Sequence, residues 1–108
     1  MIQFELYVPL LDNNGKTHPA VHDAVRKALL KKFGGFTRYK TRGGYVGENS
    51  VYMFEPVNVY RIFADDSSRG RLRFAEDTMQ AIGRYVKDSM KQESVLITRQ
   101  TVSTTFLD

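Results

Sequence analysis

The hydrophobic period of this chain changes four times along its length, and that succession leaves few folds open to it. Phe4, Leu6, Val8 and Leu10 alternate with Gln3, Glu5 and Tyr7, the pattern of a half-buried strand over 2–10. Pro9 marks its end or a sheet edge, and Asn13-Asn14-Gly15-Lys16 is turn chemistry. Pro19 suits a first helical position, with Thr17 or His18 as cap. Ala20/Val21, Ala24/Val25, Ala28/Leu29 and Phe33 then recur at helical spacing to about Lys32, and Gly34-Gly35 stops the helix. Residues 36–46 and 51–64 read as strands joined by the turn Gly47-Glu48-Asn49-Ser50. Asp65 to Gly70 is a loop. Leu72, Ala75, Met79, Ile82 and Val86 step by 3, 4, 3 and 4, a second amphipathic helix to about Met90. Val95, Leu96, Ile97, Val102 and Phe106 lie in a last strand over 94–106.

The order β-α-β-β-α-β with right-handed crossovers predicts an α+β fold, the ferredoxin-like βαββαβ sandwich. Its four-stranded antiparallel sheet has the spatial order 4-1-3-2, with two helices on one face. The opposite face is then open to a partner, a ligand or a second subunit. The 108 residues amount to a single domain, 1–108. Cysteine is absent, which excludes a disulfide framework and any thiolate metal site. No apolar run is long enough to span a membrane, and the N-terminus lacks a basic leader pattern. A cytoplasmic protein is the expectation. The net charge of +4 gathers in Lys31, Lys32, Arg38, Lys40 and Arg42, and in Arg69, Arg71 and Arg73. Such groups favour anionic partners, or simply keep a surface solvated.

The third strand contains two misfits. In "VYMFEPVNVY", Val51 to Tyr60, Glu55 shares a face with Val51, Met53, Val57 and Val59, and Pro56 follows it. A carboxylate among aliphatic neighbours needs a partner or is costly to desolvate. A proline in a central strand should break a ladder bond. A bulge or break at 55–56 accommodates both, and bulges lie beside functional sites. The other reading pairs Glu55 with Arg61, Arg99 or a lysine.

Other signals are weaker. His18 and His22 stand i, i+4 with Asp23 alongside, a spacing that suits a metal. No third strong ligand accompanies them, so the expectation is capping and surface, with no metal and no cofactor. Gly34-Gly35, Gly43-Gly44 and Gly47 lack the lysine and the following helix of a phosphate loop. "LYVPLL", Leu6 to Leu11, and "RGGYV", Arg42 to Val46, are similar to the two RNA-recognition patterns, with Tyr7 and Tyr45 as stacking residues. The second lies in the wrong strand for that role, which argues against a nucleic-acid partner.

A different set of motifs fits better: "FGGFT" (Phe33 to Thr37), "GGYVG" (Gly43 to Gly47), Glu55-Pro56 before Val57 and Val59, "QESVL" (Gln92 to Leu96), then Val102 and Phe106. They cover about 75 residues, the span from Phe33 to the C-terminus. This skeleton resembles an uncharacterised family of bacterial lipoprotein domains. It also resembles the phage-encoded S-adenosylmethionine (SAM) lyases, formerly called SAM hydrolases, which are small ferredoxin-like proteins that form trimers. Carried over residue by residue, Tyr45 stands at the aromatic position, Glu55 at the strand carboxylate and Glu93 at the acid of the last strand. Tyr45 agrees with the lyases and departs from the tryptophan of the lipoprotein domains. The resemblance implies substrate-assisted cleavage of SAM to methylthioadenosine and homoserine lactone. It implies catalytic Glu55 and Glu93, substrate binding by Tyr45, Glu55 and Glu93, and a site assembled between subunits of a homo-oligomer. The rival expectation is a non-enzymatic ligand-binding or interaction module of the same superfamily, with SAM or a nucleotide-like molecule as ligand.

Overall fold

The structure is a computed structural model that describes residues 1–46 and 48–108. Its elements follow the expected order: β1 (Ile2–Pro9), α1 (Pro19–Phe33), β2 (Thr37–Val46), β3 (Tyr52–Ala64), α2 (Arg69–Ser89) and β4 (Ile97–Thr101). A short 3-10 turn, Glu48–Ser50, precedes β3. Gly47, the first residue of the expected turn, lies outside the described residues. The strands pair antiparallel in the order β2-β3-β1-β4. This is the α+β architecture that the periodicities predict.

Alternation decides which face is which. Ile2, Phe4, Leu6 and Val8 of β1 join Tyr60, Ile62 and Ala64 of β3 under both helices. Helix α1 contributes Val21, Val25 and Leu29; α2 contributes Ala75, Met79, Ile82 and Val86. Leu6, Leu29, Tyr60 and Met79 are almost fully buried, each worth about 1.5–3 kcal/mol by area. Helix α1 begins at Pro19 after His18, whose side chain makes no cap bond, and ends at Gly34 in the left-handed region (φ 81°). Helix α2 is capped by Ser68, whose Oγ accepts from the Arg71 N–H.

Two expectations of the sequence are corrected. The last strand is five residues long, not the thirteen of 94–106. Strand β4 pairs with β1 alone, and its last residue, Thr101, faces Ile2, the first residue of β1. Val102 N–H still donates to the Met1 carbonyl, and Phe106 is exposed.

There is also no bulge at 55–56. The β2–β3 register runs unbroken from Thr37↔Arg61 through Arg42↔Pro56 and Gly43↔Glu55 to Val46↔Tyr52. Pro56 is tolerated because β1 has already ended: its last residue, Pro9, faces Val57. In an antiparallel strand the N–H and C=O of one residue point to the same edge. The Pro56 carbonyl accepts from the Leu10 N–H at 3.0 Å, so the proline nitrogen also faces the β1 edge, past the paired strand. No bond of the β2–β3 ladder is lost.

Because β1 pairs with residues 57–64 of β3, the segments 42–46 and 52–56 pair with each other and, apart from the Leu10–Pro56 bond, with no other strand among the described residues. They form a two-stranded arm at one end of a molecule measuring 48 × 27 × 25 Å. The arm is apolar on both faces. Tyr52 and Phe54 are 76% and 74% exposed, and Val46, Val51, Tyr45 and Met53 are exposed as well.

Candidate functional site

Glu55 lies at the base of this arm on the open face of the sheet, and it is partly buried. Its cross-strand neighbour is Gly43, which leaves space above the carboxylate. Two residues along β2, Tyr45 pairs with Met53, so its ring stands diagonally across from Glu55. That separation is about 7–8 Å between backbones, within reach of an aromatic side chain. The alternating pattern puts Met53 and Val57 on the same face. Tyr45 and Glu55 are therefore brought together by register.

The ion-pair partners that the sequence offered for Glu55 are taken elsewhere. Arg61 donates to Glu5 from Nε and Nη2 at 3.1 and 3.0 Å. Arg99 bonds Glu76 of α2. Among the described residues Glu55 forms no ion pair. A carboxylate beside an aromatic ring, a thioether and an aliphatic wall suits a cationic guest.

Glu93 does not join that pair within one chain. It is exposed, in the loop between α2 and β4. Strands β3 and β4 lie on opposite sides of β1, about 10 Å apart at ordinary strand spacing. All three residues sit toward the end of the sheet where β1 stops. Tyr7 and Tyr45 make no common stacking platform. Tyr7 pairs with Val59 and Tyr45 with Met53, a separation of about 20 Å along β3.

Sequence reasoning missed a second cluster on the open face. Tyr39 Oη donates to Glu5 Oε2 at 2.6 Å, and the Arg61 guanidinium lies 5.4 Å from the Tyr39 ring centre. The Tyr39 hydroxyl, aided by Arg61, holds the Glu5 carboxyl below its usual range despite some burial. Tyr7 and Tyr39 both flank Val59, which is buried although it lies outside the helix-side core. No local pattern announces this cluster, because its members come from three strands.

The histidines are also placed differently from expectation. His18 Nε2 meets Asp12 Oδ2 at 2.8 Å; with backbone N–H donors from Lys16 and Asn14, this takes the Asp12 pKa down to about 2. His22 is buried, not superficial. Its Nε2 lies 3.0 Å from the Pro9 carbonyl and its Nδ1 2.7 Å from Tyr60 Oη. Both of its nitrogens are engaged, and no group of three metal-ligating side chains occurs among the described residues.

Burial lowers the His22 pKa, opposed by its bond to Pro9. The unfolded chain therefore takes up a proton at a higher pH than the folded one. Stability should be level at neutral pH and fall as the pH drops through about 6.5, the unfolded value. Thermal melts between about pH 7 and 5 should show this decline. His22→Gln should start at a lower Tm and flatten the slope; an unchanged slope would remove His22 as its origin.

No protein-family model matches the chain, and no curated protein matches it. Among solved structures it superposes on a phage SAM lyase in complex with S-methyl-5'-thioadenosine. The TM-score is 0.66 at 21% identity, over 92% of this chain and 79% of that one. The chain shares the fold of that phage lyase. CutA1 from Pyrococcus horikoshii follows with TM-score 0.60 and 15% identity, over 100% and 89% of the two chains. A DUF3240 family protein from Shewanella baltica gives 0.50 at 9% identity, over 99% and 97%. These likenesses carry the ferredoxin-like fold. No helix among the described residues is long and apolar enough to cross a membrane.

Proposed function

We propose that the protein is a SAM lyase that works as a homo-oligomer, a trimer on the pattern of the family its motifs resemble. The observation that carries this reading is the partly buried Glu55 beside Tyr45, without an ion-pair partner among the described residues, on an arm whose apolar surface is exposed in one chain. The fold shared with a SAM lyase is consistent with it. A cytoplasmic setting is part of the same reading.

The reaction needs little from the protein. The substrate's own carboxylate oxygen attacks its Cγ, forming the lactone C–O bond. The Cγ–S bond breaks and its electron pair leaves with sulfur, so methylthioadenosine departs as a neutral thioether. Water is not consumed and no general acid is required, which also means that no metal or cofactor is called for. Charge disappears along this path, since sulfonium and carboxylate neutralise each other. A protein carboxylate held against the sulfonium would favour the ground state over the transition state. Glu55 is better employed on the substrate's ammonium or ribose, which keep their character throughout. Tyr45 covers the bound substrate and excludes water, and Glu93 reaches the site across a subunit boundary. Holding carboxylate and Cγ in near-attack geometry is the main catalytic effect.

Incubation with SAM, followed by chromatography for methylthioadenosine, tests this directly. Product should accumulate in proportion to enzyme. A folded oligomer that yields none at high concentration would end the lyase reading. Saturable binding of methylthioadenosine without turnover would support the rival, a ligand-binding module.

A further inference from the structure

A pocket of about 550 Å³ opens on the helix-covered face, where β1 ends and α1 begins. Arg26 of α1 and Arg38 and Lys40 of β2 line it, together with Leu11, Pro19 and Asn58. Register places Arg38 opposite Tyr60 and Lys40 opposite Asn58, so both cations belong to the helix side of the sheet. No carboxylate is among the lining residues. Among the described residues, Arg38 and Lys40 form no ion pair. Arg26 pairs with the half-exposed Asp23 at 3.4 Å and donates from Nη1 to the neutral Tyr60 hydroxyl at 3.4 Å. Three positive side chains thus converge on one concavity with little to neutralise them.

A second observation comes from the floor of the pocket. Asn58 is 2% exposed, and its Oδ1 has no hydrogen-bond partner among the described residues. Its orientation follows from His22. Nε2 of His22 donates to the Pro9 carbonyl, which leaves Nδ1 as an acceptor for the Tyr60 hydroxyl at 2.7 Å. The Asn58 amide therefore turns its NH2 toward Nδ1, at 3.3 Å, and toward Tyr60 Oη, at 3.5 Å. Its carbonyl oxygen is directed away from them, buried and unsatisfied, a costly arrangement unless something else supplies a donor.

We propose that this pocket binds a small oxyanion compound, a phosphate or carboxylate, whose body carries an N–H or O–H donor for Asn58 Oδ1. The guanidinium groups of Arg26 and Arg38 offer paired N–H donors matched to such oxygens, and Lys40 adds a point charge. The volume is that of a small-molecule site. The inference does not depend on SAM cleavage. Glu55 lies on the other face of the same sheet and favours a cation, whereas this pocket favours an anion.

Titration with inorganic phosphate, acetate and ribose 5-phosphate, followed through the Asn58 side-chain amide and His22 ring resonances, tests it. Saturable shifts are expected with phosphate or acetate, and the stronger of the two identifies the oxyanion. Ribose 5-phosphate should bind about tenfold tighter than inorganic phosphate. Lys40→Met and Arg38→Met should each weaken binding by about tenfold, while Lys31→Met, on the far part of α1, leaves it unchanged. Absence of saturable shifts with all three probes would overturn the site. So would equal weakening by Lys31→Met, which would mean diffuse charge attraction. If ribose 5-phosphate binds no tighter than phosphate, the donor contact with Asn58 is rejected.

Discussion

Glu55→Gln should lower kcat/KM for SAM cleavage by about 100-fold, the scale on which a misplaced reacting geometry costs rate. The substitution keeps shape and removes charge. Glu55 has no ion-pair partner among the described residues, and its cross-strand neighbour is Gly43. Losing the charge therefore breaks no internal bond, and stability should change by less than about 0.5 kcal/mol. That separation of effects is the useful part of the experiment. A variant with wild-type Tm and circular dichroism but little methylthioadenosine formation assigns the residue to the reaction. Product formed at the full rate by Glu55→Gln would keep the activity and reject the site. If Glu55 holds the ammonium, saturation kinetics should show both a raised KM and a lowered kcat, because the contact both binds the substrate and sets its angle.

The second large effect concerns the arm. Replacing Tyr52 and Phe54 together with Glu should convert the oligomer to monomers and abolish turnover. In one chain these two rings are 76% and 74% exposed, so the isolated fold gains little from them. In an assembly each would contribute about 1.5–3 kcal/mol by burial, repeated at every copy of the interface. Burying a new carboxylate there would add a further penalty. The monomer should still fold, because residues 52–56 extend past β1 and the core lies between β1, the rest of β3 and the helices. Light scattering coupled to size exclusion reads the outcome. An unchanged oligomer would show that the arm is not the interface. Monomers that still cleave SAM would show that the site is complete in one chain.

Much of this architecture was legible in the residue pattern, for a local reason. Period-two stretches such as Phe4-Leu6-Val8 and the 3-4-3-4 step from Leu72 to Val86 record which side of each element is buried. Element boundaries at Pro19 and Gly34 follow from backbone preferences of single residues. The same alternation correctly set Glu55 on the face away from Tyr60 and Ile62. It could also mark Glu55 and Pro56 as exceptional, since a carboxylate and an imino acid are uncommon within a strand of aliphatic and aromatic residues.

What the pattern could not contain was the length of a neighbour. Whether Pro56 disrupts a ladder depends on where β1 ends, and β1 ends at Pro9, opposite Val57. No bulge was needed, because the edge that lacks an N–H is the edge that lacks a strand. The partners of the charges are decided in the same nonlocal way. Arg61 meets Glu5 and Arg99 meets Glu76 across register and layers, and among the described residues Glu55 is left without an ion pair. His22, apparently superficial by its place in α1, is buried because Pro9, Asn58 and Tyr60 close over it. The sequence by itself determined the elements, their order and their buried sides, since these depend on neighbours within a turn or two. Tertiary structure alone decided which strand ends where, which charges pair and which polar groups stay unmatched, since these depend on contacts between residues tens of positions apart.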